Sequence, residues 1–241
     1  MKSIANDLFI IIPARNEEEN LPSLLQQITS IVTPNVVVID NNSSDQTYAI
    51  SQSFTKHVVK ERKPGYGNAC LAGIKYINQL KFKPQYVCFF DGDGQSLVSD
   101  IVRIAYPLHQ SKFIGYCQGT RMVHSSARRS LTGSAYVANK VFSFILSKIW
   151  KQKITDLGPL RCIKLDLLNT LQMNSKTYAW TIEMNTKLLK LQIPIVEIPV
   201  NYKIRSLGVS KISGSFKTAL RAATIMTISF IQTSLFWSVK Q

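Results

Sequence analysis

YVCFFDGDGQS, residues 86–96, runs from an apolar segment straight into two carboxylates, Asp91 and Asp93, each followed by glycine. The apolar part is short and rich in aromatic and aliphatic side chains, as expected of a strand buried on both faces of a parallel sheet. The two acids stand at i and i+2, so strand geometry would point them to the same side. Carboxylates that close repel unless a proton or a cation sits beside them. A divalent metal resolves the conflict. Mg²⁺ takes one or two carboxylates, keeps waters and completes its shell with substrate phosphates. Gly92 and Gly94 read as room for a ligand against the backbone, and Gln95 as a further oxygen. The competing reading is an ordinary Asp-Gly turn between strand and helix.

Working outward, residues 8–13 (LFIIIP), 35–40 (NVVVID) and 113–119 (FIGYCQG) are runs of the same kind. Between them, residues 18–31, 45–54 and 67–80 carry helical spacing. Four strand-like runs alternating with helices predict an open α/β sheet, in which loops at the carboxyl ends of the strands gather along one ligand-binding edge. The polar motifs fall in those loops: PARNEEEN, DNNSSDQT, DGDGQ and TRMVHSSARR. Asn16, Glu17 and Asp40 are thereby placed to meet a base and ribose on the edge that carries the acid pair. ERKPGYGNA, residues 61–69, puts Gly65 and Gly67 before a helix whose free N–H groups attract an anion. Cys at position 70 and the lack of a glycine after the first strand count against a Rossmann dinucleotide site, and the absence of GxxxxGK[ST] counts against a P-loop.

The chain has 241 residues and a formal net charge of +15, from 29 Lys and Arg against 14 Asp and Glu. Residues 1–139 hold 14 basic and 10 acidic side chains, and residues 140–241 hold 15 and 4. The second half is the one that meets an anion. Few aromatics interleave with the basic residues and no recognition motif is present, which argues against nucleic acid. Cys70, Cys88, Cys117 and Cys162 lack metal-binding spacing and read as buried thiols in a reducing, cytoplasmic setting. The N-terminus has too short an apolar run for a secretory signal. Residues 134–151 form a helix with Val137, Val141, Phe142, Ile145, Leu146 and Ile149 on one side and Lys140, Lys148 and Lys151 on the other. It is either a core helix with a solvated face or a basic amphipathic helix at an anionic membrane surface. Residues 222–239 carry no charge but seven Thr, Ser and Gln, marginal for a membrane span; a helix packed on the domain or lying at an interface is the expectation. Residues 195–204 alternate like a strand, and 208–215 form a loop rich in backbone donors.

Taken in order, IPARNEEENL, VVVIDNNSSDQT, PGYGNA, FFDGDGQ, GTR, DLGPLRCIK, YAWTIEM and VSKISG resemble the family 2 glycosyltransferases of the GT-A fold, in the dolichol-phosphate mannosyltransferase and polyprenyl-phosphate glycosyltransferase branch. The resemblance covers residues 8 to about 220. It implies a catalytic domain over 1–215 with an open, mostly parallel sheet flanked by helices, and a C-terminal amphipathic helical segment over 216–241. It also implies an inverting, metal-dependent transfer from a UDP- or GDP-sugar to a polyprenyl phosphate. Pro13, Ala14, Asn16, Glu17, Asp40 and Gly67 match the donor site; Asp91, Asp93 and Gln95 match the Mg²⁺ or Mn²⁺ and diphosphate site; Ser210 and Lys211 match a loop closing over the donor phosphates. Arg121 and an arginine of the Arg128 and Arg129 pair match the holders of an acceptor phosphate. Glu183 is the candidate general base if the acceptor is a hydroxyl; for a lipid phosphate it would only position the acceptor or buttress a loop. One departure stands out: Asn41 and Asn42 occupy the usual second acid and glycine. Membrane attachment is expected to be peripheral, at the cytoplasmic face, or supplied by a partner protein or a second copy. Two alternatives stay open: a soluble transferase acting on a small or glycan acceptor, and a nucleotide-sugar-binding subunit without catalysis.

Overall fold

The computed structural model describes residues 2–33, 35–204 and 216–239. A short helix α1 (Lys2–Asp7) leads into β1 (Leu8–Ala14), followed by α2 (Leu21–Ile31), β2 (Val36–Asp40), α3 (Thr47–Phe54), β3 (Val58–Lys60) and α4 (Tyr66–Asn78). The second half continues with β4 (Tyr86–Phe89), α5 (Ser99–Gln110), β5 (Tyr116–Thr120), α6 (Ser125–Arg129) and α7 (Gly133–Trp150). Then come β6 (Arg161–Lys164), α8 (Leu165–Leu171), α9 (Trp180–Lys190), β7 (Ile195–Pro199) and α10 (Phe216–Phe236). The seven strands form one sheet in the order β3-β2-β1-β4-β6-β5-β7. All neighbours are parallel except at β6, which runs antiparallel to both β4 and β5.

The apolar runs are continuous because both faces are covered. Along β1, Phe9 and Ile11 enter one core layer with Val37, Phe89, Tyr116 and Trp180. Leu8, Ile10 and Ile12 enter the opposite layer with Val38, Cys88, Ile101 and Ile104. This is the period of two that a strand imposes, and each fully buried aliphatic contributes about 1.5–3 kcal/mol. The four cysteines are free and buried. α10 packs against α9 and α7, with Phe230 edge-on to Trp150 at 6.2 Å and the Lys190 ammonium donating to the Thr233 and Ser234 carbonyls. Among the described residues no helix is long and apolar enough to cross a membrane.

The boundaries differ from expectation for local reasons. α2 begins at Leu21 rather than 18, because Glu17 to Asn20 closes a turn in which the Asn20 side-chain amide donates to the Glu17 carboxylate at 2.8 Å. β5 starts at Tyr116, leaving Phe113 93% exposed. β7 ends at Pro199, and the expected extension to 204 survives only as a bridge between Ser96 and Tyr202. The expected two-sided pattern of α7 is also revised. Phe142 and Leu146 are buried, whereas Val137, Val141 and Ile149 face outward beside Lys140 and Lys148.

Candidate active site

The parallel strands bring Ala14, Asp40, Asp91 and Thr120 to one edge of the sheet. Because β6 runs the other way, its first residue, Arg161, arrives at that same edge, in register with Phe89 on one side and Gln118 on the other.

Asp91 is half-buried and accepts a hydrogen bond from the Tyr66 hydroxyl at 3.0 Å. Burial raises its pKa above the ordinary carboxylate value; Arg161, the Tyr66 hydrogen bond and Arg121 pull it back, while Glu17 pushes it further up. Arg161 itself is 1% exposed. Its Nε donates to the Pro159 carbonyl at 3.1 Å, and its Nη1 is without a hydrogen-bond partner among the described residues. Burial opposes its charge, but Tyr66, Tyr116, Cys70 and Asp91 outweigh that and raise its pKa. A cation buried among apolar strands is costly unless an anion lies close, and Asp91 is the carboxylate among the groups that raise its pKa.

Asp93 is held differently. One of its oxygens accepts from the Gln95 amide at 3.1 Å. Gln95 in turn is tied to residues 202–203: its side chain donates to the Lys203 carbonyl at 2.9 Å and accepts from the Tyr202 hydroxyl at 3.3 Å. Gly94 has φ +71°, a left-handed turn that brings the loop round. Gly92 does not open space for a ligand; a side chain there would touch Ile12 and Ala14 at the end of β1. No group of three or more His, Cys, Asp or Glu side chains gathers into a closed metal cage among the described residues. The donor set is two carboxylates, Asp93 and an Asp91 whose burial-raised pKa is partly offset by a buried guanidinium. Such a set fits Mg²⁺ or Mn²⁺ bound jointly with substrate phosphates rather than a closed protein site.

Arg121, just past β5, is buried and forms a two-pronged pair with Asp156: Nε to one oxygen at 2.9 Å and Nη2 to the other at 2.8 Å, while its backbone N–H donates to Asp156 at 2.7 Å. Its guanidinium lies 5.1 Å from the Tyr202 ring centre. Asp156 is set in place by Glu197 of β7, which accepts from the Thr155 and Asp156 amides at 3.0 Å and from Gln118 at 3.1 Å. Arg128 and Arg129 lie exposed in the last turn of α6. The three arginines expected to act alike thus divide into one buried anchor and two solvent-facing cations.

At the other end of the edge, Pro13 and Ala14 close β1, and Asn16 takes φ +51°, accepting from the Ser44 amide at 2.9 Å. Glu17 is buried and its amide donates to Thr47 at 2.9 Å. Asp40 is buried at the end of β2 and accepts from the Ser43 amide at 3.3 Å. Asn41 explains its departure from an acid. Its amide donates to the carbonyls of Glu61 and Lys63 at 3.2 and 2.7 Å and accepts from Gly65 N–H at 2.8 Å, work that needs a donor and an acceptor on one side chain. Asn42, with φ +58°, fills the position where glycine was the usual residue.

Two expected roles change. Gly67 lies inside the first turn of α4, and a side chain there would collide with the Ser175 carbonyl. The neighbouring Asn68 amide donates to the Lys176 carbonyl at 3.3 Å, so the helix start faces protein as well as any anion. Glu183 is 4% exposed, its two oxygens accept from the Asn174 and Ser175 amides at 2.9 and 2.7 Å, and it pairs with Lys187 at 2.7 Å. It buttresses the 174–176 loop that presses on Gly65 and Gly67, and a carboxylate so committed is not placed as a general base. Ser210 and Lys211 lie outside the described residues. Sequence reasoning missed Tyr66, Asp156, Arg161 and Glu197. The one available signal was a lone arginine opening an apolar run, RCIK.

The profile of glycosyl transferase family 2 matches residues 9–163. The chain belongs to that family. An uncharacterised glycosyltransferase of Mycobacterium tuberculosis is 28% identical over 218 residues, covering 88% of this chain and 93% of the relative. The polyprenol monophosphomannose synthase of Mycolicibacterium smegmatis is 26% identical over 220 residues, 86% and 81% of the two chains. The UDP-N-acetylglucosamine–dolichyl-phosphate N-acetylglucosaminyltransferase of Methanococcus voltae is 25% identical over 215 residues, 80% and 84%. Among solved structures, glucosyl-3-phosphoglycerate synthase from Mycobacterium tuberculosis, in complex with Mn²⁺, UDP and phosphoglyceric acid, superposes with a TM-score of 0.70. It covers 96% of this chain and 79% of that one at 15% identity, a likeness of fold alone. The sheet and its flanking helices are therefore those of a family 2, GT-A type glycosyltransferase.

Proposed function

We propose that the protein is an inverting hexosyltransferase that moves a sugar from a UDP- or GDP-sugar to a polyprenyl or dolichyl phosphate. The observation that carries the choice of acceptor is the commitment of Glu183 to the loop amides and to Lys187. A hydroxyl acceptor needs a base to take its proton, whereas a phosphate is already ionised and needs only to be oriented. Two of the named relatives act on lipid phosphates while differing in the sugar, which supports that acceptor class and leaves the donor sugar open.

In this reading Asp40, Asn16 and Glu17, with Pro13 and Ala14, line the base and ribose end, and Gly67 supports it from the α4 side. Asp91 and Asp93, with the Gln95 side-chain oxygen that also accepts from Tyr202, would hold Mg²⁺ or Mn²⁺, which when bound supplies positive charge to the leaving diphosphate. Arg161 and Tyr66 offset the burial that raises the Asp91 pKa, and the Tyr66 hydroxyl holds the carboxylate in place. Arg121, fixed by Asp156, keeps its proposed place at the acceptor end beyond β5, and the exposed Arg128 and Arg129 draw in the acceptor phosphate. Ser210 and Lys211 retain the proposed role of closing over the donor phosphates. Transfer then needs the acceptor oxygen aligned opposite the diphosphate. Residues 1–215 would form the catalytic domain, working at the cytoplasmic face of a membrane without spanning it.

The test is a screen of UDP- and GDP-sugars against polyprenyl phosphate and against 3-phosphoglycerate as a water-soluble control, reading released nucleoside diphosphate and labelled product. Lipid product with at least one donor is the expected result. Transfer only to the water-soluble phosphate would replace the lipid acceptor with a small one, and donor binding with no transfer to either would make the chain a silent subunit.

A further inference from the structure

We propose that α7 and α10 together form the face on which the protein docks to an anionic lipid bilayer. The idea deepens the lipid-phosphate reading and rests on it for its purpose, while the surface argues for itself. On α7 the outward side carries Val137, Val141 and Phe144 together with Lys140 and Lys148; Phe144 is 62% exposed. On α10, Leu220, Ile228, Ile231 and Leu235 face outward while Ala222 and Thr233 face the domain. The two helices are neighbours, so the two apolar stripes lie on adjacent elements. Apolar area kept in water is unfavourable, and patches of this kind mark interaction sites.

Charge says what covers the patch. Exposed cations line it, Arg128 and Arg129 of α6, Lys140 and Lys148 of α7 and Arg221 of α10, and residues 121–155 and 216–239 hold no acidic side chain. Each Lys or Arg close to an anionic bilayer contributes about 1 kcal/mol of attraction, whereas an acid in these stretches would subtract from it. The lysines of α7 also stand as interfacial lysines do, with the charge beside an aromatic body. The Lys148 ammonium is 5.6 Å from the Phe144 ring centre and that of Lys140 is 5.9 Å from Tyr136. No described helix can span a bilayer, so the mode is adsorption with the apolar stripes sunk between headgroups. The surface begins near the site. Val123, also exposed, follows Arg121, and the exposed Arg128 and Arg129 of α6 precede α7. Docking would bring those two arginines to the plane where a lipid phosphate lies.

The experiment is co-sedimentation of the full chain with vesicles of phosphatidylcholine alone and of phosphatidylcholine mixed with phosphatidylglycerol, across a salt series, with light scattering of the free protein. Pelleting with the anionic vesicles that weakens with salt is expected. The pair Lys140→Gln and Lys148→Gln should lower the partition coefficient about 30-fold, two charges at about 1 kcal/mol each. Phe144→Ser should lower it at every salt concentration, and circular dichroism should show both variants folded. Absence of pelleting, or pelleting untouched by both variants, would overturn the proposal; so would a Phe144→Ser variant that changes only self-association, which assigns the face to a second copy. The vesicles hold no polyprenyl phosphate and the assay no donor. Failure of the acceptor reading would therefore show as normal pelleting without lipid product, a pattern distinct from failure of the docking face.

Discussion

Arg161 and Glu183 are both buried and charged, and the contrast between them locates the chemistry. Arg161 lies at the sheet edge beside the end of β4, its Nη1 without a hydrogen-bond partner among the described residues, and its charge pulls the Asp91 pKa down against burial. Arg161→Leu should leave Asp91 favouring its neutral form more strongly. Calorimetry with Mn²⁺ and the nucleoside diphosphate should show weaker binding, most clearly at low pH; unchanged affinity would mean that Arg161 is only structural. Glu183→Gln should behave in the opposite way. It leaves the Lys187 charge buried without its partner, although burial already lowers the Lys187 pKa. Stability should fall by about 3–5 kcal/mol, read from the urea midpoint. A lost general base would instead cut turnover with the midpoint unmoved. The acid pair was legible in the sequence because two like charges at a strand end demand an explanation. Arg161 was not, since its meaning depends on a strand reversal that no local pattern announces, and sequence left Glu183 open between base and loop buttress because its partners at 174 and 175 are backbone amides.

At the level of elements, the four parallel strands of the first motifs were readable from their continuous apolar runs, which follow from burial on both faces. β3 and β6 escaped because three or four residues are too few to show a period. β5 was placed three residues early because Phe113 and Ile114 look like strand but lie before the ladder begins. α7 shows the limit of helical periodicity: spacing identified the helix, while only packing against α9 and α10 decided which apolar residues are buried. The contact between α4 and the 174–176 loop carries a prediction of its own. Gly67→Ala puts a methyl group against the Ser175 carbonyl, and overpacking of this sort costs about 1–3 kcal/mol. Thermal unfolding should show that loss, and donor affinity should fall with it, since Tyr66, one residue before, holds Asp91. A variant as stable as the parent with unchanged affinity would separate this contact from the site.

For the molecule as a whole, the +15 charge and its concentration in the second half were plain from composition, and the fold turns that excess into a place: exposed cations from α6 onward, beyond the sheet edge where Asp91 and Asp93 stand. Composition named an anionic partner without distinguishing phosphate from membrane, because net charge carries no geometry. The central claim is that the acid pair works on the donor diphosphate through a divalent cation while an ionised lipid phosphate attacks. The most direct measurement is transfer of labelled sugar to polyprenyl phosphate in three arms: with Mn²⁺ or Mg²⁺, with excess chelator, and with Asp93→Asn at saturating metal. The account predicts lipid product in the first arm, none in the second with recovery when metal is restored, and in the third a loss of about 10²-fold or more without a change in thermal unfolding. Full transfer in chelator, or an Asp93→Asn enzyme as active as the parent, would contradict it.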